Sequence, residues 1–381
     1  MGSLPRLAPL AAVLYHANAF EPMTDEPWDE ARVREGIAAL VADADAAFRP
    51  DEFWPAHEWD GYNAALPLKN LYVGAAGVVW ALDDLRGRGL AETTLDLVAV
   101  ALRALERWRA EPDYMQGEVL PEPPESALFL GETGILLVCL RLGLDVDAEL
   151  EARIRANVAN ETEELFWGTP GTLLAAVHAG LDAAARESAA ALAARRDEEG
   201  LWTQHLWGSE FKALGASHGA VTNVRALLHV DDPRNEQLKR DTNRILAERA
   251  TWQDGLVNWT SEAKLQWDVG TPGILVAAGD YLGEDLLLAG AKTVWQAGAH
   301  GDEKGHGICH GTSGNGFALL AAFERTQDEL WLDRARRFAV HALAQAARLP
   351  GRYSLFTGGM GTALFAAACL EGDARFPLLG R

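Results

Sequence analysis

Three short stretches of the sequence place residues that bind metals or move protons directly before a glycine. They are Ser217-His218-Gly219, Asp268-Val269-Gly270 and Cys309-His310-Gly311. Thiolate, imidazole and carboxylate groups are the protein ligands of zinc, and imidazole also acts as an acid or base near neutral pH. Asp268, Cys309 and His310 would give zinc three ligands and leave the fourth position open, as in catalytic zinc sites. His218 then remains for proton transfer.

The glycines in these stretches belong to an internal repeat. The lead glycines are Gly74, Gly131, Gly168, Gly219, Gly270, Gly311 and Gly358, which are 57, 37, 51, 51, 41 and 47 residues apart. In the other four units the place of Ser217, Asp268 and Cys309 is taken by Tyr72, Phe129, Phe166 and Phe356. Most units read apolar-aromatic-x-Gly-x-x-Gly, and such regular spacing is typical of a repeat architecture.

The stretches after and between the motifs have the periodicity of helices. Ala/Leu-rich stretches that are apolar on nearly every side predict buried inner helices at 135–142, 173–181, 274–282, 317–323 and 362–370. More polar amphipathic stretches predict outer helices at 28–48, 91–108, 147–160, 181–195, 235–250, 286–296 and 329–347. No clear strand pattern competes, and the proline-rich residues 118–125 predict a loop.

Each repeat is therefore predicted to be a hairpin of one outer and one inner helix. Seven hairpins that close on themselves form an all-α fold, an (α/α)7 toroid with Gly-x-x-Gly turns. We expect a single domain over residues 1–381, with 1–27 as an N-terminal segment that packs on the toroid or leads into it. An open solenoid is the alternative, but neither end of the sequence resembles a polar cap.

A closed ring would bring the three unusual motifs together at one end. A lone histidine at a helix start is more often structural, and a buried cysteine usually behaves as a small hydrophobe, which is our interpretation of Cys139 and Cys369. A functional role is nevertheless favoured here over a structural one, because three consecutive repeats carry metal-binding or acid–base residues at equivalent positions. A helix N-terminus also stabilises a thiolate or carboxylate.

Composition excludes several classes of function. The 381 residues include 34 Lys+Arg and 55 Asp+Glu, for a formal charge of −21, which argues against binding to nucleic acid or to anionic membranes. Three cysteines do not form a disulfide framework and fit a reducing cytoplasm. No apolar run approaches the ~20 residues of a membrane span. Residues 7–14 followed by Ala17-Asn18-Ala19 leave a cleaved signal as an alternative, although Pro9 interrupts the apolar run.

The motifs resemble those of one protein family, lanthionine synthetase C (LanC) and the LanC-like proteins. Cys309-His310-Gly311 resembles its Cys-His-Gly signature, and Trp267–Gly273 resembles its Trp-Cys-x-Gly-x-Pro-Gly motif. The third motif is similar to Trp207–Phe211 followed by Gly215–Gly219. Residues 164–168, 353–356 and 374–377 are more similar to the eukaryotic-type LanC-like branch than to peptide-cyclising LanC.

This resemblance implies an α-toroid in which two cysteines and one histidine hold a zinc ion that activates a thiol. LanC enzymes add a peptide cysteine to dehydroalanine or dehydrobutyrine, and LanC-like proteins add glutathione to dehydroamino acids in damaged proteins. It implies that Cys309 and His310 are zinc ligands and that His218 is the acid or base. Lys304 matches a lysine implicated in contact with glutathione or phosphate.

Glu164 lies where family members carry an acidic residue near the site. The alternative is a solvated carboxylate at a helix end, beside Glu161 and Glu163. Trp267, in the second motif, is assigned to substrate contact. Arg225, three residues after the Thr222 that replaces a repeat glycine, is expected to reach the channel as an anion contact.

Asp268 is the main departure, because the family has a zinc cysteine there. A carboxylate can ligate zinc, and it would leave a more electrophilic ion that makes a bound thiol more acidic yet less nucleophilic. The sequence therefore predicts a zinc-dependent enzyme that joins a thiol to a dehydroamino acid. The alternative is an altered or inactive LanC-like protein that binds a peptide or small molecule as a scaffold. A carbohydrate-active toroid would need facing carboxylates, whereas these positions carry mostly His and Cys.

Overall fold

A computed structural model describes residues 13–61, 64–114 and 124–380, and fourteen α-helices lie within those ranges. In chain order they are α1 (Glu30–Ala47), α2 (Ala75–Gly87), α3 (Leu97–Ala110), α4 (Glu132–Arg141), α5 (Asp147–Ala156), α6 (Thr169–Ala179), α7 (Asp182–Ala194), α8 (Ala220–Leu228), α9 (Asn235–Arg249), α10 (Thr271–Ala278), α11 (Glu284–Ala297), α12 (Thr312–Thr326), α13 (Glu329–Arg348) and α14 (Gly359–Glu371). Odd-numbered helices are outer and even-numbered helices are inner, as the repeat predicts.

Burial separates the two sets of helices. In α14 every residue from Gly359 to Cys369 is buried, whereas α13 buries a stripe that includes Trp331, Ala335 and Phe338 and exposes its other side. Side-chain caps hold the starts of outer helices, as where Asp96 accepts a hydrogen bond from the Ala99 amide at 3.0 Å. Within the described ranges, no helix is long and apolar enough to cross a bilayer.

The inner helices form a closed ring. Each packs against the next from α2 to α14, and α14 packs against α2. The first outer helix, α1, lies against α13 and α14, so the beginning of the helical repeat covers its end. This closure confirms the predicted toroid and excludes an open solenoid.

The part of the N-terminal segment that is described packs on the toroid. The Leu14 carbonyl accepts a hydrogen bond from Asn258, and the Thr24 amide donates to His341. The predicted alternative of a signal sequence over residues 7–14 falls mostly outside the described residues.

Short strands accompany the helices in the described chain, although the sequence shows no strand pattern. The described chain contains three small antiparallel sheets, which pair β1 (Phe20–Glu21) with β6 (Ala299–His300), β2 (Gln204–Leu206) with β3 (Ser209–Phe211), and β4 (Thr251–Gln253) with β5 (Leu256–Asn258). Two- and three-residue strands are too short for an alternating pattern to be visible. Of the predicted proline-rich loop, Pro124–Ser126 forms a 3-10 turn and most of the rest lies outside the described residues.

The second glycine of a motif lets neighbouring turns approach closely. A Cβ atom at Gly134 would lie 2.2 Å from the Leu128 carbonyl oxygen and 2.7 Å from the Leu71 Cβ. In the fourth repeat Thr222 takes this place, and its hydroxyl donates to the equivalent carbonyl, that of Ala216. The repeat therefore keeps its geometry by replacing a close approach with a hydrogen bond.

The C-terminal tail after α14 fills the other end of the ring. The Phe376 ring stacks on Trp267 at 4.6 Å between centroids and meets Phe317 edge-on at 5.0 Å. The Leu379 carbonyl accepts a hydrogen bond from Arg225 Nε at 3.3 Å. The tail thus packs beneath the motifs from the side where the inner helices end.

Candidate metal and thiol site

A chain of backbone hydrogen bonds fixes the motifs at the N-terminal ends of the inner helices. The amide-to-carbonyl pairs are Tyr72 to Phe129, Phe356 to Tyr72, Cys309 to Phe356, Asp268 to Cys309, Ser217 to Asp268 and Leu165 to Ser217. Ser217, Asp268 and Cys309 therefore occupy places equivalent to those of the four aromatic residues. The aromatic side chains pack on one another, for example Tyr72 on Phe166 at 4.8 Å, and form an apolar floor.

Cys309, His310 and Asp268 lie side by side across two repeats. Cys309 Sγ is 3.6 Å from His310 Nε2, and the same nitrogen is 3.4 Å from Asp268 Oδ2. Cys309 is buried, while the His310 and Asp268 side chains are 33% and 14% exposed. The site is thus open on the imidazole side and closed beneath the sulfur.

Burial and charge shift the pKa values of all three groups. Burial raises the pKa of the Cys309 thiol, and this outweighs the opposite effect of His310. Burial lowers the pKa of His310, but its contacts with Cys309 and Asp268 outweigh burial and hold this pKa well above its usual value. Burial raises the pKa of Asp268, yet His310 brings it below its usual value. The imidazole of His310 and the carboxylate of Asp268 thus stabilise each other's charged forms.

The residues present fit zinc in their chemistry and in two of their separations. Ligands at about 2.3 Å for sulfur and about 2.0–2.1 Å for nitrogen or oxygen, at tetrahedral angles, are roughly 3.4–3.6 Å apart. Asp268 Oδ1 is also buried with no hydrogen-bond partner among the described residues, as suits an oxygen that ligates a cation. In the ranges described, no three His, Cys, Asp or Glu side chains converge enough to hold a metal as they stand. Zinc binding would therefore require a side-chain adjustment.

His218 and Glu164 form a second pair at the site. His218 Nδ1 is 2.7 Å from Glu164 Oε2, and Glu164 Oε1 accepts a hydrogen bond from the Trp167 amide. Glu164 is fully buried, so the alternative of a solvated helix-end carboxylate is wrong. The His218 ring packs between Phe166 at 5.5 Å and Trp207 at 5.3 Å. Glu164 therefore fixes the ring and leaves the Nε2 atom for proton exchange.

The three predicted substrate contacts lie in different places. The Lys304 ammonium is 5.5 Å from the exposed Trp59 ring. Trp267 is fully buried against Phe376, so the prediction that it contacts substrate is wrong. It packs beneath Asp268 instead.

Arg225 lies in the last turn of α8, about 10 Å along the helix from His218, and binds the Leu379 carbonyl and Asp280. Its predicted anion contact at the site is corrected, because Arg225 lies in the last turn of the helix and His218 lies before the first turn.

Two further residues belong to the site and were missed. The Tyr72 hydroxyl donates a hydrogen bond to Cys309 Sγ at 3.1 Å. The sequence could have indicated Tyr72, because it is the only one of the four aromatic residues at these positions that carries a hydroxyl group.

Asp60 accepts a hydrogen bond from Thr357 at 2.6 Å, and its charge acts on both His310 and Tyr72. Burial raises the pKa of Asp60. It lies before the first repeat, so no spacing could have revealed it.

A cleft of about 550 Å³ reaches the site from one side. Two non-helical stretches, 211–215 and 259–264, form its walls. His218 and Asp268 line its inner end.

The fold and the motif ring define this chain as a member of the lanthionine synthetase C-like family, to which residues 67–379 match. Among curated proteins it is 36% identical over 126 residues to "Glutathione S-transferase LANCL1" of Danio rerio. That alignment covers 30% of this chain and 30% of the relative. Among solved structures, "Nisin cyclase" is similar with a TM-score of 0.56 and 15% identity, over 88% of this chain and 94% of that one, which supports the shared fold.

Proposed function

We propose that this protein is a zinc-dependent LanC-like enzyme that adds a thiol to a dehydroamino acid and forms a thioether. The thiol is glutathione or a peptide cysteine, and the acceptor is a dehydroalanine-type residue in a peptide or a small molecule. The observation that carries the proposal is the juxtaposition of Cys309, His310 and Asp268 with the His218–Glu164 pair, because His310 Nε2 lies 3.6 Å from Cys309 Sγ and 3.4 Å from Asp268 Oδ2. Family membership supports the same reaction class.

Cys309, His310 and Asp268 would hold the zinc ion and leave one position for the substrate thiol. When bound, zinc would lower the pKa of that thiol, so that the thiolate would be present at neutral pH. Asp268 supplies the second negative charge that a cysteine supplies elsewhere in the family. The Tyr72 hydroxyl fixes the Cys309 sulfur from the buried side.

His218 moves the proton in the proposed reaction. The new C–S bond forms at the β-carbon as the carbon–carbon π bond breaks, and the α-carbon must gain a proton. Glu164 accepts the hydrogen bond from Nδ1, so His218 Nε2 takes the thiol proton and delivers it to the α-carbon. The half-buried ring between Phe166 and Trp207 limits competition from water.

Lys304 is proposed to contact an anionic group of the thiol substrate. Its ammonium projects beside Trp59 at the rim, where Arg352 also lies 5.4 Å from the same ring. We also propose a cytoplasmic location, which the three free cysteines support. The charge of −21 argues against nucleic acid as a partner.

The test is a thiol-addition assay with glutathione and N-acetyl-dehydroalanine methyl ester, together with zinc analysis of the same protein. Cys309→Ala is expected to lose zinc and activity together, whereas Cys369→Ala, at another fully buried free cysteine, keeps both. Activity that persists unchanged in Cys309→Ala would contradict the proposal.

A metal-free binding protein is the second candidate. It is favoured by the direct contacts that link Tyr72 to Cys309, Cys309 to His310, and His310 to Asp268. In that case the toroid would retain a cavity for a peptide or small molecule, as a scaffold without catalysis. Zinc absent from protein purified without chelators would favour this candidate over the enzyme.

A further inference from the structure

We infer that Trp207 determines the configuration at the α-carbon of the product, because its indole keeps water away from the place where His218 delivers the proton. This inference rests on the proposed function and adds a positioning residue to it. In the addition, the sulfur bonds to the β-carbon and the π electrons move towards the carbonyl group as an enolate. The proton that the thiol gave to His218 then bonds to one face of the planar α-carbon, which becomes a stereocentre.

The His218 ring lies between a buried ring and an exposed ring. Phe166 packs on it with 5.5 Å between centroids and is 5% exposed. Trp207 contacts it at 5.3 Å, with an angle of 74° between the ring planes, and is 54% exposed. The indole therefore lies between the imidazole and the solvent.

The backbone of Trp207 adopts a conformation that a bulky residue rarely takes. Trp207 and Gly208 form the two-residue turn between β2 and β3, with φ values of 53° and 70°. Such turns favour asparagine, aspartate and glycine, and the β4–β5 hairpin has Asp254 at the matching position, also with a φ of 53°. Turn chemistry therefore does not explain a tryptophan at position 207, whereas contact with His218 does.

Side-chain hydrogen bonds hold this hairpin against the loop that carries Glu164. The Thr162 hydroxyl donates to the His205 carbonyl, and the Gln204 amide donates to the carbonyl of the residue before Glu164. Glu164 itself binds His218 Nδ1. The indole and the carboxylate that fix the imidazole are thus held in one hydrogen-bonded unit.

An imidazole that is fixed and covered delivers its proton to one face of the enolate. Because Glu164 binds Nδ1, the ring cannot turn to present the proton on Nε2 from another direction. Water that reached the enolate would protonate it from either face, and exclusion of water from a site suppresses such side reactions. Trp207 covers the site where the His218 side chain is 22% exposed. The configuration of the product should therefore depend on the indole, whereas binding of the thiol should not.

The experiment adds glutathione to N-acetyl-dehydroalanine methyl ester and separates the two diastereomeric products by reversed-phase chromatography. The products differ only at the new α-carbon, and the reaction without protein gives the background that is subtracted. Trp207→Asn removes the indole and introduces a residue type that readily adopts a positive φ, so the hairpin is preserved. Trp207→Phe keeps a ring at the same place. Trp252→Asn is the matched control, at a tryptophan that is 49% exposed on the neighbouring hairpin and does not line the cleft that reaches the site.

The unmodified protein is expected to form one diastereomer in large excess. Trp207→Asn should lower the ratio of the two products at least roughly tenfold with the KM for glutathione unchanged, while Trp207→Phe and Trp252→Asn retain most of the excess. An unchanged ratio in Trp207→Asn, or an equal loss in Trp252→Asn, would overturn the assignment. Thiol addition by the unmodified protein that yields equal amounts of both products would overturn this inference alone. No thiol addition by the unmodified protein would overturn the proposed function, and this inference with it.

Discussion

His218 can exchange a proton from one ring nitrogen only, because Glu164 binds the other. The carboxylate is fully buried and is itself fixed by the Trp167 amide, so the imidazole has little freedom to turn. The proposed proton transfer depends on a pair of residues that are 54 positions apart in the sequence. Their contact exists because the third and fourth motifs are neighbours in the ring.

Glu164→Gln is expected to lower kcat for thiol addition by roughly 100-fold, since an amide cannot stabilise the imidazolium that forms during proton transfer. Zinc content should not change, because Glu164 is not among the proposed ligands. Steady-state kinetics with zinc analysis makes the comparison, and Glu161→Gln, at an exposed neighbour, is the control. Equal kcat values in the two variants would show that Glu164 does not act through His218.

At the scale of single elements, the Gly-x-x-Gly turn determines how closely the motifs approach one another. Gly134→Ala is expected to lower the free energy of unfolding by at least about 2 kcal/mol, because its methyl group would overlap the Leu128 carbonyl. Gly87→Ala is the matched control, since a Cβ there meets nothing within 4 Å and alanine favours the helix by up to about 1 kcal/mol. Urea denaturation gives both values, and a similar cost at both sites would contradict the packing argument.

The loop that carries Glu164 also contains a pH-sensitive carboxyl. Burial raises the pKa of Glu163 from 4.5 to about 7, although Arg195 opposes the shift. Between these pH values the folded protein retains a proton that the unfolded chain has released. The free energy of unfolding therefore falls by about 3 kcal/mol as pH rises through this range.

Glu163→Gln should remove that fall, because the amide does not titrate. Urea denaturation between about pH 4.5 and 8 tests this, with Glu161→Gln as the exposed control. The difference between wild type and Glu163→Gln should change by about 3 kcal/mol across the range. A constant difference would show that Glu163 is ionised throughout.

The sequence predicts the helices far better than it predicts the distribution of site residues. Outer helices such as α9 and α13 end within a residue of their expected bounds, because their amphipathic period is strong. The small strands were missed because two or three residues carry no period. Arg225 and Trp267 were misplaced because spacing from a motif says nothing of which end of a helix, or which face of a turn, a side chain occupies. Asp60 belongs to no repeat, so only the fold brings it to His310.

At the scale of the whole molecule, the closed ring has an open end and a filled end. The open end presents the motifs, and the C-terminal tail fills the other through Phe376. Phe376 packs on Trp267, the residue before Asp268, so the tail supports the candidate ligand set from below. Arg225 in the last turn of α8 and His229 directly after α8 both bond to the Leu379 carbonyl and thereby secure the tail.

Phe376→Ala is expected to lower the free energy of unfolding by about 3–5 kcal/mol, because it leaves a cavity among aromatic rings at the centre of the toroid. Leu102→Ala on α3, where the side chain is 45% exposed, should cost less than about 0.5 kcal/mol. Chemical denaturation of both variants makes the comparison. Equal costs would mean that the tail is not part of the core.

Cys309, His310 and Asp268 are proposed to hold one zinc ion. X-ray absorption at the zinc edge, measured on the purified protein, reports both the amount of metal and the atoms that surround it. We expect one zinc per chain with a single protein sulfur at about 2.3 Å and nitrogen or oxygen ligands at about 2.0–2.1 Å. No stoichiometric zinc, or a first shell without sulfur, would contradict it.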